Sequence, residues 1–321
     1  MDVEIKNVYT ARRGIQIGDL LGNSFTVRVR ECDMPESDIP GTIDSVSAAI
    51  KDAGGFPNYF GVQRFGVVRP ITHKVGELII RGDIEGAVRH YVSDPSLYED
   101  EEAATARKAL AEEEDWASLL NIIPDTMSYE KIMVEHIAAS PGDWSGAIEK
   151  LPKNLQMMFV HAYQSYLFNR MLSERMKSGL PLNMPVLGDM IIPTDSNRLP
   201  LHENPITASE KNIDLVAKQV RSGRAFVTIS LFGSESELPG GKMGEIERSI
   251  IEKENISKKD FIVPGLPHCS SKGSKREILC PVSDLSHKMI DGGYEMNFSL
   301  PKGNYATCLL REYMKSDMEK Y

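Results

Sequence analysis

The chain has 321 residues, a formal net charge of −9, 41% apolar and 26% charged side chains, and four cysteines. That length allows about two domains with separate cores; no apolar run is long enough to span a bilayer and no signal segment opens the chain, so the expected location is the cytoplasm. Cys32, Cys269, Cys280 and Cys308 form no C-x-x-C pair, and His268, Cys269, Cys280 and His287 fit no common zinc spacing, so free thiols and no metal are expected.

A negative chain has no general affinity for nucleic acid, which makes the distribution of charge informative. Residues 1–74 carry nine basic and nine acidic side chains, residues 264–321 eight and seven, and residues 75–263 carry 20 against 30. Within the middle, Glu99 to Asp115 holds eight acids and two bases, and reads as a solvated face. Both ends are balanced and free to present local basic patches.

In chain order, Val3 to Val8 alternates apolar and polar residues as a half-buried strand does. Arg12-Arg13-Gly14 is a basic turn, an RNA contact or an ordinary solvated one. A second strand, Asn23 to Glu31, puts Phe25, Val27 and Val29 on one face and Thr26, Arg28 and Arg30 on the other. Ile43, Val46 and Ile50 mark a helix ending at Gly54-Gly55. The loop after it, Gly54 to Gly66, contains four glycines, one proline and four aromatics beside Asn58 and Arg64. A flexible backbone with aromatic faces and planar hydrogen-bonding groups suits a nucleobase; a tight turn plugging a core is the other reading.

From about His73 the pattern is helical. One helix is predicted over Gly82–Val92, another in the acidic 99–115 segment, and a long one from Asn154 to Ser178 with an apolar stripe wide enough for burial. In that helix His161, Gln164 and Asn169 read as RNA contacts or as satisfied polar groups of a packed helix. Val186 to Pro193 is a strand. Thr207 to Glu210 has the capping-box spacing and is expected to open a helix ending near Gly223. Ala225 to Phe232 is an apolar strand and Lys242 to Glu254 a helix; Gly240-Gly241-Lys242 lacks the Ser or Thr of a phosphate loop. Phe261 to Leu266 reads as extended. Ser270 to Arg276 reads as a basic, hydroxyl-rich loop, in which Lys272, Lys275 and Arg276 are candidate phosphate contacts. A strand over Tyr294–Leu300 and a helix carrying Leu309, Leu310 and Arg311 close the chain.

Asn58-Tyr59-Phe60-Gly61-Val62-Gln63-Arg64-Phe65-Gly66 resembles the signature of the TruD family of tRNA pseudouridine synthases. Asp19 to Phe25 precedes it, His161 to Asn169 follows, and Leu300 to Thr307 with Leu310-Arg311-Glu312 closes an ordered set of similar stretches. The resemblance implies an α+β fold: a mixed-sheet pseudouridine synthase domain, over 1–74 and 264–321, interrupted by a mainly helical α/β insertion over 75–263, with RNA in the cleft between them. It implies conversion of a uridine in tRNA to pseudouridine by base flipping and attack of an aspartate, without cofactor or metal. Phe60 is then the ring expected to pack on the uracil, and Asn58 a hydrogen-bonding group near the nucleophile. Changing either to Ala is expected to lower turnover without unfolding the protein. Arg311 is either the basic partner of the nucleophile or a salt bridge to a sheet neighbour. Arg12, Arg13, Arg64, Lys272, Lys275 and Arg276 are the candidate RNA contacts.

The family's nucleophile lies in a Gly-x-Lys-Asp segment. Lys259-Asp260 lacks the glycine and Asp2 lacks the motif. The expectation is a chain whose N-terminal part, with the catalytic Asp, lies upstream of Met1 and which is inactive alone. A non-catalytic RNA-binding module and a partner subunit completed by another polypeptide are the alternatives; completed, the protein is expected to be a monomer.

Overall fold

A computed structural model of the chain describes residues 9–10, 13–14 and 19–316. The expected strand Val3–Val8 and Arg12 lie outside them. The first elements are β1 (Gly22–Arg30), α1 (Ile39–Ala53) and β2 (Phe56–Pro57). The helical region follows as α2 (Thr72–Ile80), α3 (Ile84–Ser93), α4 (Glu101–Glu112), α5 (Ser128–Ala139), α6 (Trp144–Glu149) and α7 (Lys153–Lys177). Next come β3 (Met190–Pro193), β4 (Ile206–Thr207), α8 (Ile213–Arg221), β5 (Ala225–Leu231) and α9 (Gly241–Lys253). The chain ends with β6 (Ser274–Glu277), β7 (Leu279–Cys280), β8 (Ser283–Ile290), β9 (Gly293–Pro301) and α10 (Ala306–Met314).

The strands form three sheets, β1-β9-β8, β2-β7 and β4-β3-β5-β6. Every strand pair among the described residues is antiparallel, so no parallel pair of a mixed sheet falls among them. The first sheet has an apolar face closed by α1 and α10, where Val29, Ile43, Phe56, Met296, Phe298 and Leu309 pack together. Its other face is a polar ladder. Ser24 bonds Ser299, Thr26 donates to Asn297 and Arg28 to Glu295.

The larger core surrounds α7, whose Phe159, Tyr163, Leu167, Phe168 and Met171 are buried. Its buried polar residues are satisfied within the protein, as a packed helix requires. Gln164 donates to the Phe232 carbonyl at 2.7 Å and accepts from Ser271. Fully buried Arg175 makes two bonds of 2.8 Å to Asp189.

The chain crosses between the cores twice, at one place. Phe56 belongs to the smaller core and Phe60 to the larger; Ile278 belongs to the larger and Cys280 to the smaller. The two crossings are the two strands of the β2–β7 ladder, with Phe56 opposite Cys280 and Pro57 opposite Leu279. The changes of core thus come at 57–60, before the sequence boundary of 74, and at 278–280, after that of 264.

Three local expectations are revised. Thr207 pairs in β4, and α8 starts only at Ile213, because Asn212 takes the cap position and accepts from the Ser209 N–H at 2.8 Å. The capping box that forms is Ser257–Asp260, opening a 3-10 turn at Lys258–Phe261 where extended chain was expected just after. Ser274 to Arg276 is not loop but β6, paired with β5.

Candidate active site

The crossing ladder places the aromatic loop. Gly54 ends α1 with φ 80° and Gly55 follows with φ 153°, its α-carbon against the Cys280 carbonyl where a side chain has no room. That contact sets Phe56 opposite Cys280 and delivers Asn58 beside β6. Asn58 is only 1% exposed. Its N–H donates to the Ile278 carbonyl and its Nδ2 to the Glu277 carbonyl, both at 2.9 Å. Its Oδ1 accepts from Arg276 at 2.7 Å.

Arg276 binds the pieces together. Its Nη1 and Nη2 each donate to the Gly303 carbonyl at 3.2 Å, and its guanidinium carbon lies 4.1 Å from the centre of the Phe60 ring. Asn169 of α7 clamps the Phe60 backbone, accepting from its N–H at 2.9 Å and donating to its carbonyl at 3.0 Å. Phe168 and Tyr305 meet the Phe60 ring edge-on. On the far side Thr307 bonds Gln63 at 3.1 Å. One loop is thereby tied to a strand and a helix of the larger core and to the last helix of the smaller one.

No carboxylate forms an ion pair with Arg276 among the described residues; its acceptors are two carbonyls and an amide oxygen. Burial pulls its pKa below the usual range, Glu277 opposes this, and Arg64 adds to it, yet a guanidinium stays charged in a protein. Arg64 lies 5.2 Å from the same ring and makes no hydrogen bond to any described residue, leaving its buried Nε unpartnered. Burial, and then Arg64, also lower the pKa of His161, which favours its neutral form. The result is two guanidiniums around one aromatic ring, neither paired with a carboxylate among the described residues. Such a centre attracts an anion, and cation–π contacts of this kind contribute about 0.5–2 kcal/mol each. The thiols beside it are not nucleophiles, since burial pushes Cys308 up to about 11 and Cys280 further.

The other expected site residues are scattered. Arg311 is exposed on α10 and lines, with Phe60, Tyr59 and Tyr166, a cavity of about 630 Å³. It makes no ion pair among the described residues, so the sheet salt bridge is not seen. Arg13 is exposed and bonded to Asp19 at 2.9 and 3.0 Å, and Lys272 is exposed and paired with Glu235 at 3.1 Å. Lys275 turns inward to the Ser230 hydroxyl and the Glu237 carbonyl, and burial lowers its pKa. Arg276, expected in a solvated loop, is the partner of Asn58 and Phe60 instead. Sequence reading also missed Asn169 as the loop clamp and a second Lys-Asp pair, Lys51-Asp52, at the end of α1. There Ala49 stands where the Gly-x-Lys-Asp pattern needs glycine.

Known proteins resemble this chain over nearly its whole length. The family model "tRNA pseudouridine synthase D (TruD)" matches residues 1–313. A "probable tRNA pseudouridine synthase D" of Methanococcoides burtonii is 42% identical over 320 residues, covering 98% of this chain and 73% of that protein. One of Halobacterium salinarum is 40% identical over 320 residues, covering 98% of this chain and 72% of its own length. The crystal structure of a putative tRNA pseudouridine synthase D from Methanosarcina mazei superposes with a TM-score of 0.89 at 35% identity, over 97% of this chain and 72% of that one.

Proposed function

The chain belongs to the TruD family of tRNA pseudouridine synthases, and from that premise we propose that it binds tRNA and presents a flipped uridine to the Asn58–Phe60–Arg276 centre for conversion to pseudouridine. The observation that carries this is the Arg276 guanidinium on the Phe60 ring with no carboxylate of its own. An anion brought by the RNA, or the carboxylate that attacks the nucleoside, supplies the missing charge.

Phe60 is covered by two guanidiniums, so a uracil stacks on it by taking the place of one. Arg276 is held by four contacts within 3.5 Å, whereas Arg64 is held by none, so Arg64 is displaced at smaller cost. It then becomes a phosphate contact. Asn58, with both side-chain ends bonded to β6, is a positioning residue that sets the guanidinium plane. Arg311, at the rim of the cavity beside Phe60 and without an ion pair among the described residues, remains our proposed cation for the nucleophile, lowering its pKa by proximity.

The 321 residues contain no Gly-x-Lys-Asp segment; Lys51-Asp52 and Lys259-Asp260 are preceded by Ala49 and Ser257 at the glycine position. Covalent catalysis needs that nucleophile. A second reading follows from this absence: alone, the chain binds structured RNA without isomerising uridine. Tritium release from 5-³H-uridine-labelled tRNA, beside a salt-titrated binding curve, tests both. Binding without release by the chain alone, and release once a segment bearing the aspartate is supplied, are expected. Release by the chain alone overturns the assignment of the nucleophile, and no binding at low salt from folded protein overturns the reading as a whole.

A further inference from the structure

Two clefts flank the junction of the sheets. One, of about 830 Å³, lies between the end of α1, the β1–β9 pair and the end of α8; the other, of about 760 Å³, contains Asn58 and Arg276. Counting each lining residue once, six Lys and Arg stand against three Asp and Glu, in a chain where acids outnumber bases 46 to 37. Arg198 lines both clefts.

Arg198 sits at the tip of the turn between β3 and β4. Asp195 builds that turn, its Oδ1 accepting from the N–H groups of Asn197 and Leu199 at 2.8 Å each, and Thr194 bridges to Pro200. The turn puts Arg198 at φ 60°, the left-handed region that favours glycine. A long branched-headed side chain there is unfavourable for folding. The exposed guanidinium makes no hydrogen bond or ion pair with any described residue. A rigid turn thus holds a strained, unpaired cation on the ridge shared by two clefts whose charge opposes that of the whole chain.

We propose that the Asp195–Pro200 turn is a phosphate-binding finger, on which the RNA backbone crosses from the first cleft to the second, with Arg198 neutralising a phosphate at the crossing. This rests on the reading of the protein as a tRNA-binding one. It adds a contact point on the insertion, separate from the aromatic loop. A crossing fixed at the ridge holds the strand next to the Asn58–Arg276 centre, where the flipped nucleotide is received, so the contact serves register as well as affinity.

The test compares wild type, Arg198→Gly, Arg198→Ala, Arg198→Lys and the surface control Lys108→Ala in binding a tRNA transcript across salt concentrations. Arg198→Gly and Arg198→Ala are expected to weaken binding about three- to tenfold at low salt and to reduce the magnitude of the log K against log salt slope by about 1. Arg198→Lys keeps the slope, and Lys108→Ala matches wild type. Arg198→Gly is the sharpest variant. Glycine suits the left-handed position, so its melting temperature should equal or exceed that of wild type while its affinity falls. Wild-type binding with unchanged affinity and slope in the Gly and Ala variants overturns the inference and leaves the tRNA reading standing. A melting temperature many degrees lower for Arg198→Gly also overturns it, by making the arginine structural. Equal sensitivity of poly-L-glutamate binding to the same variants overturns the assignment to RNA. Absence of tRNA binding by folded wild type removes the inference and the tRNA reading together.

Discussion

In the helical region, buried Arg107 and half-buried Arg69 are held against carboxylates. Arg107 bonds Glu99 and Glu130 at 2.8 Å each, and Arg69 reaches Glu130 at 3.3 Å. At the junction of the cores, half-buried Arg276 is held against carbonyls, an amide and an aromatic ring. The first arrangement is closed, with its charge cancelled by the residues that hold it. The second is open: geometry is fixed on every side while the charge is left for something else. The difference separates a cross-link from a site by counter-ion alone, although both are partly desolvated arginines with hydrogen bonds to backbone.

Breaking the closed cluster should have the largest effect on stability. Arg107→Ala leaves Glu99 and Glu130 buried with only Arg69 between them, and removing one partner of a buried pair costs about 3–5 kcal/mol. Differential scanning calorimetry should show a fall in melting temperature of roughly 10 °C for a chain of this size. RNA affinity well below the transition should stay as it was. A loss of affinity at low temperature would remove the distinction between the two clusters.

Phe60→Ala comes next. Its 6% exposure and its place in the larger core bear on the expectation that this change leaves the fold intact; truncation of a buried Phe costs about 3–5 kcal/mol. Phe60→Leu keeps most of the apolar volume and removes the ring face. It should melt within a few degrees of wild type yet lose RNA affinity or, in a completed enzyme, turnover. Equal losses of stability and activity in the two variants would make Phe60 purely a core residue.

The long helix, the strands β1, β5 and β9 and the aromatic loop were legible in the sequence because period and turn chemistry agree there with tertiary packing. Helix α7 runs within a residue of the predicted bounds. The start of α8 was not legible, since Thr207 finds a strand partner 17 residues away at Met190. Arg276 was misread for a similar reason. A run of Ser, Lys and Gly looks solvated by composition, and only the pairing of β6 with β5 sets Lys275 on one covered face and Arg276 on the other. Asn58 and Phe60 were found by their motif, but the atoms that hold them, on Asn169 and Arg276, are more than 100 residues away in the chain. No local pattern contains such a pair.

Arg276→Met sharpens the open side of the comparison. It strands the Asn58 Oδ1 and one lone pair of the Gly303 carbonyl, a loss of about 1–3 kcal/mol, smaller than that for Arg107. The fall in RNA affinity should nevertheless exceed that of any carboxylate-paired arginine. Arg276→Lys restores charge without the planar fork, so it should recover the salt dependence of binding before it recovers turnover.

Glu247 extends the comparison to an acid that can shed its charge. It is fully buried, its Oε2 has no partner, and burial raises its pKa to about 7. The folded state therefore holds a proton that the unfolded chain, at the ordinary 4.5, releases. Its contribution to stability is complete below pH 4.5, falls as pH rises through that range, and levels off above 7. Against Glu247→Gln, wild type should lose several degrees of melting temperature between pH 4.5 and 7.5. A constant difference between the two proteins across that range would show that Glu247 is charged when folded.

The smallest effect is expected from the acidic segment, once its members are told apart. Glu99 belongs to the buried cluster with Arg107 and is not part of a solvated face. Glu101 and Glu102, in the first turn of α4, favour the helix dipole, whereas Glu112, in its last turn, opposes it. In the triple variant Glu101→Gln, Glu102→Gln, Glu112→Gln these contributions of a few tenths of a kcal/mol partly cancel, and the melting temperature should move by no more than about 2 °C. At 0.15 M salt the screening length is about 8 Å, so removing three exposed charges should change tRNA affinity less than about twofold. A large loss of affinity or activity would instead show that these carboxylates meet a partner, placing a working surface on the closed side of the molecule.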